Sequence, residues 1–148
     1  MPYVVSNIVA VLLLLATWRK PRIARVLFFL IFGWASWVNK SAVLDNPSQY
    51  LDYAQYTFLF FYKSFILGFF GDHIQEIVLV IAFCQLCIAV SMLLKGLLFK
   101  IGGIGAILFF LAIAPLGVGA AFPSTIIGSL AMLLLLIKSG RDYLWKPD

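Results

Sequence analysis

The sequence predicts an all-α polytopic membrane bundle, and three observations carry that prediction. Of its 148 residues, 64% are hydrophobic and 11% are charged, against roughly 25% charged in an average soluble domain. The mean hydropathy is +1.05. The apolar residues also gather into runs near the roughly 20 residues that a helix needs to cross a bilayer, and basic residues flank those runs. A chain this short cannot hide so much apolar surface in one core. That excludes a soluble globular enzyme, a disordered chain and a secreted disulfide scaffold. Residues 1–148 read as a single membrane domain.

The first span covers about residues 3–18 and is closed by Trp18-Arg19-Lys20-Pro21-Arg22. It lacks the basic n-region and the small-x-small site of a secretory signal peptide. The second, about residues 21–39, opens on Pro21, a good first helical residue. Arg22 and Arg25 lie near its start, placed to snorkel toward headgroups. A long connection follows. Its second half, about residues 56–70, holds Phe58, Phe60, Phe61, Tyr62, Phe65, Phe69 and Phe70 around Lys63. This segment is expected to form an outer interfacial or re-entrant aromatic helix.

The third span, about residues 73–94, is signalled by Asp72 with Gln75 three residues on, a capping-box pattern. The fourth, about residues 101–121, follows Lys100 and contains Pro115, which kinks or breaks a helix. Its small residues Gly102 and Ala106 have the spacing that lets helices approach closely. The freed carbonyls around Pro115 suit either a cavity wall or, more simply, a packing kink. The fifth span, about residues 124–138, ends at Lys138-Ser139-Gly140-Arg141.

Five spans place Arg19, Lys20, Arg22, Arg25, Lys95, Lys100, Lys138, Arg141 and Lys146, nine of the eleven basic residues, on one side. The positive-inside rule then puts the N-terminus outside and the C-terminus in the cytoplasm. A sixth crossing through the aromatic segment would destroy that segregation. Trp18, Tyr143 and Trp145 read as the inner aromatic belt, Trp34 and Trp37 as the outer one. Because the basic residues flank spans rather than cluster on one solvent face, nucleic acid is excluded as a partner.

Several of these features are similar to a known family. Arg25, Gly33 and Asn39-Lys40 lie along one span, Gln75-Glu76 opens a later one, and Ser139-Gly140-Arg141-Asp142-Tyr143-Leu144 follows the last. Together they resemble the DoxX-like family of small bacterial integral membrane proteins, over about residues 22–146. The resemblance implies a four-helix membrane core, to which residues 3–18 add an N-terminal transmembrane helix. It also implies a bacterial inner (plasma) membrane location. Some members are linked to quinone-dependent sulfur oxidation and others to thiol and oxidative-stress systems. Distant relatives act as chaperones or cargo receptors.

Three clusters could carry chemistry. Glu76 is the one carboxylate placed within a span, where charges are costly and often functional. His73 lies three residues before it, within reach on a helix, and imidazole titrates near neutral pH. With Gln75 the pair suits a proton relay or a quinone headgroup site. The plainer reading is an acid suited to the helix dipole. Asn39 and Lys40 are expected at the same outer level, where a Lys40–Glu76 ion pair would either pin two spans or frame a pocket. Cys84 and Cys87 form a Cys-x-x-Cys within the third span, facing one side of the helix. Such a pair can exchange with a disulfide, in the manner of the vitamin K epoxide reductase family. No second pair is present to relay electrons, and two inert apolar core residues are the plainer account. One histidine and this pair make no credible metal site, so no metal is expected.

The function these readings favour is a subunit of a quinone- or thiol-linked redox complex. Asn39, Lys40, His73, Gln75 and Glu76 would frame an outer polar pocket, with the aromatic segment as its lid. Quinone is the cofactor class considered, and a membrane or peripheral protein is the expected partner beside the lipid bilayer. The alternative is a non-enzymatic membrane scaffold, chaperone or partner subunit, with a packed bundle and no cavity. A small transporter fits less well, since neither inverted repeats nor a midplane charge is visible.

Overall fold

The structure, a computed structural model, describes residues 2–116 and 123–138. Among these residues all regular structure is helical. Five long helices, α1 (Pro2–Arg19), α2 (Pro21–Asp45), α5 (Ile74–Ser91), α6 (Gly96–Ile113) and α7 (Ser124–Lys138), form the body. Between α2 and α5 lie a 3-10 segment (Pro47–Asp52), the one-turn α3 (Tyr53–Tyr56), α4 (Phe60–Phe65) and a π-helical stretch (Ile66–Phe70) kinked at Gly68. Three helices are long and apolar enough to cross a membrane: α2, α5, and α6 with its 3-10 extension to Leu116. The apolar helices over Val4–Arg19 and Ser124–Lys138 are shorter.

Each long helix packs against two neighbours in the cyclic order α1, α2, α5, α6, α7. Phe28 and Phe32 of α2, Met92 after α5, Phe99 of α6 and Met132 and Leu135 of α7 meet at the centre, all but fully buried. The outward surfaces are apolar instead of charged: Leu30, Phe83, Leu108 and Leu133 stand about half exposed or more. An apolar face of that kind suits lipid.

Small residues set the closest approaches, as their spacing suggests. A Cβ on Gly102 would lie 1.7 Å from Ser91 Oγ, and one on Gly103 would lie 2.4 Å from Leu136. On α7, a Cβ at Gly128 would press the Phe110 ring at 3.1 Å. Gly96 begins α6 at φ +64, a conformation glycine adopts without a Cβ penalty. It lets the chain reverse between α5 and α6.

Several boundaries differ from the expectation. The second helix runs to Asp45, so Asn39 and Lys40 lie inside it. Val43 continues its buried stripe against Tyr50, Ile74 and Val78, and Pro47 follows the end. Trp34 therefore stands mid-helix rather than at an outer end. The third span stops as an α-helix at Ser91, and His73, not Asp72, is its N-cap, with no side-chain cap bond. The fourth begins at Gly96, before Lys100. Lys40 and Lys100 mark span ends in the sequence pattern, but both are exposed, and a helix runs past a charge that can reach water. Residues 117–121 of that span lie outside the described residues. So do Tyr143, Trp145 and the Ser139–Leu144 segment of the family resemblance.

Arg25 does not snorkel. It is buried; its Nε donates to the Met92 carbonyl at 2.8 Å and its Nη2 to that of Leu94. Its guanidinium lies 4.6 Å from the centre of the Phe99 ring. The side chain thereby caps the C-terminal end of α5, whose last carbonyls lack intrahelical donors. Lys138 plays a similar part for α1, donating to the Trp18 carbonyl and lying 4.9 Å from the Trp18 ring.

Candidate ligand cavity

The connection between α2 and α5 builds a roof. Its hydroxyl and amide groups tie it to the end of α6, while Phe58, Phe60, Phe61 and Phe69 stay largely exposed. Thr57 Oγ1 donates to the Pro115 carbonyl at 2.6 Å and Tyr62 Oη to the Ala112 carbonyl at 2.7 Å. The Phe58 amide donates to the Pro115 carbonyl at 3.3 Å. These acceptors lie at the C-terminal end of α6, where carbonyls are left over. The kink at Pro115 thus supplies the anchor for the aromatic segment.

Beneath the roof is a cavity of about 610 Å³, within the 300–1,000 Å³ range of small-molecule sites. Its aromatic walls come from Phe61, Phe65, Phe70 and Phe109, its aliphatic floor from Ile77, Val78 and Ile81. Among the described residues, the polar side chains lining it are Asn39, Tyr50, Tyr53, Tyr62 and Gln85. Among the described residues none that lines it is a carboxylate, an imidazole, a lysine or an arginine.

Three of these polar groups form a chain. Tyr50 Oη donates to Asn39 Oδ1 at 2.9 Å, and Asn39 Nδ2 donates to Gln85 Oε1 at 2.9 Å. Gln85 is 3% exposed and lines the cavity, with its Oε1 taken by Asn39. Among the described residues Thr125 Oγ1 is the one buried side-chain polar atom without a partner, so the Gln85 amide nitrogen is reachable rather than sealed in. Its N–H donors can serve an acceptor placed in the cavity. Burial pushes the Tyr50 phenol above its ordinary pKa, and the neighbouring Tyr53 adds to the rise. Burial likewise raises Tyr53. Both hydroxyls therefore stay protonated as hydrogen-bond donors.

Of the five residues expected to frame the pocket, only Asn39 does so. Lys40, His73, Gln75 and Glu76 are exposed and lie outside the cavity lining. Among the described residues no ion pair joins Lys40 or His73 to Glu76. The imidazole of His73 instead stacks on Phe69 at 4.7 Å, with Nδ1 donating to the Phe69 carbonyl at 3.1 Å. For Gln75 and Glu76 the reason is helical phase: Ile77, Ile81 and Gln85 recur every four residues on one face of α5, and the two polar residues lie off that face. His73 precedes the helix as its N-cap, with non-helical backbone angles. The signal for Gln85 in the sequence is a lone amide inside an apolar run, four residues beyond Ile81.

Those two cysteines are free and exposed. They line a second, more open cavity of about 820 Å³ along the outside of α5 and α6. No family model matches the chain, and no curated protein or solved structure matches it.

Proposed function

We propose that this is a membrane protein that binds a quinone-class molecule in the roofed cavity, as a subunit of a redox complex. The observation that carries the proposal is the reachable amide nitrogen of Gln85, set in an aromatic cavity without charged groups. An uncharged ligand with a carbonyl acceptor satisfies that amide, and flat aromatic walls suit a planar ring. A charged ligand would meet no counter-charge and pay the full desolvation cost. The reading retains the DoxX-like resemblance, with α1 as the added helix on a core of α2, α5, α6 and α7. It also retains five spans with the C-terminus in the cytoplasm of a bacterial cell, which the basic residues favour.

A second reading has its own support. The groups on the wall are amides and phenols, with no carboxylate or imidazole to move protons near neutral pH. A subunit that holds or shields its ligand while a partner chain does the chemistry fits that set, as does a scaffold whose cavity only sequesters a lipid-like molecule.

The test is mass spectrometry of small molecules that co-purify with the detergent-extracted protein. Wild type and Glu76→Gln are expected to retain a quinone, and Gln85→Leu to lose it. Absence of any quinone from the wild type, or equal retention in Gln85→Leu, would refute the assignment.

A further inference from the structure

The cavity and the outer groove share a wall. Ile81 and Gln85 of α5 and Phe109 and Ala112 of α6 line both. From there the groove follows α5 from Val80 to Ser91, about 16 Å at 1.5 Å per residue, toward the end of the helix capped by Arg25. Its surface is hydrocarbon, apart from Gln85, Ser91 and the two thiols. Ser91 satisfies its own hydroxyl by donating to the Ile88 carbonyl at 2.6 Å. The α5–α6 contact is tight at Ser91 and Gly102 but open at Gly105, where an added Cβ would find nothing closer than Ile88 at 3.8 Å. The absent side chain at Gly105 keeps the groove clear.

We infer that the groove holds the hydrocarbon tail of the ligand whose head occupies the cavity. The protein then takes a long-tailed, carbonyl-headed amphiphile sideways from the bilayer, between α5 and α6. This rests on the reading of the cavity as a carbonyl-binding site. A tail is favoured over an unrelated lipid chain because the groove and the cavity meet at Gln85, which lines both and would hold the head.

The experiment compares two fully ring-substituted benzoquinones, one bearing a methyl group and one a decyl chain at the same position. Full substitution prevents addition of the thiols to the ring. Cys84 and Cys87, which line the groove but not the cavity, report on the tail through their rate of alkylation by a membrane-permeant maleimide. Binding of the decyl compound is expected to slow labelling of both thiols severalfold, and the methyl compound to leave it unchanged. The decyl compound should bind about tenfold more tightly or better, since each buried methylene contributes. Gly105→Leu should remove that advantage and leave binding of the methyl compound as in wild type. If both compounds bind through Gln85 but the thiols label equally, the groove assignment is overturned and the cavity assignment stands. If neither binds, both fall. Should Gly105→Leu fail to fold, the labelling comparison in wild type decides alone.

Discussion

Replacing Arg25 with methionine should cost the protein about 3 kcal/mol. The substitution keeps most of the buried volume but removes both donors. The Met92 carbonyl, next to a fully buried side chain, then lacks its partner, at a cost of about 1–3 kcal/mol. The Leu94 carbonyl is partly buried and loses about 1 kcal/mol at the lower end of that range. The guanidinium–Phe99 contact contributes about 0.5–1 kcal/mol more. Replacing a complete buried ion pair by apolar residues is often harmless, but these acceptors belong to the backbone and stay behind. Arg25→Lys should lose about half as much, because a single ammonium cannot reproduce the fork that reaches both carbonyls. The assay is reversible unfolding in mixed micelles, with amide exchange of residues 92–97 as a local readout. A double-mutant cycle with Phe99→Leu should return a coupling of about 0.5–1 kcal/mol. If Arg25→Met unfolds at the wild-type midpoint and exchange in the turn is unchanged, the capping argument is wrong.

Gly102→Ala should destabilise the bundle by about 1–3 kcal/mol, because its Cβ would meet both Oγ and Cβ of Ser91; adding Ser91→Gly should recover most of the loss in the same unfolding assay. Tyr50→Phe should cost about 1 kcal/mol through the bond to Asn39, and it should weaken quinone retention by freeing the Asn39 amide. Since Tyr50 and Tyr53 hold their protons more tightly folded than unfolded, their contribution is complete below the unfolded phenol pKa near 10 and is lost as pH rises through the folded values. Stability measured upward from pH 9 should therefore fall, with phenolate absorbance for these two appearing later than for exposed tyrosines. Pairing Thr57→Val with Tyr62→Phe should speed amide exchange over residues 56–70 and leave α5 protected, since those hydroxyls tie the roof to α6.

The helical class was legible because it follows from composition and run length, which need no tertiary knowledge. The last helix begins at Ser124, where the sequence pattern starts an uninterrupted apolar run. The boundaries at Lys40 and Lys100 were misplaced because a lysine marks where a membrane stops, and α2 and α6 outrun it. The aromatic segment was legible as a surface element from its composition. Its docking was not, since that depends on which carbonyls of α6 lack donors. Asn39 was found through its place near the end of a span. Tyr50 was not, because only the fold carries it back eleven residues to the Asn39 amide. Arg25 was read from charge alone as a headgroup ligand, although backbone carbonyls one helix away offered it a better site.

Each feature of the proposed site depends on a backbone group left without its usual partner. Pro115 ends the regular part of α6 early, and the exposed carbonyls at Ala112 and Pro115 hold the roof. That roof covers an apolar volume beside α5 whose lining includes Gln85. The Gln85 amide can donate to an acceptor placed in that volume. Its Oε1 is committed to Asn39, and Asn39 is committed to Tyr50, so the amide cannot turn to bond its own helix. The network holds Gln85 in place beside the cavity. Gln85→Leu should therefore abolish binding while costing the empty protein only about 1 kcal/mol, for the lost bond to Asn39. That combination separates a ligand site from a packing motif.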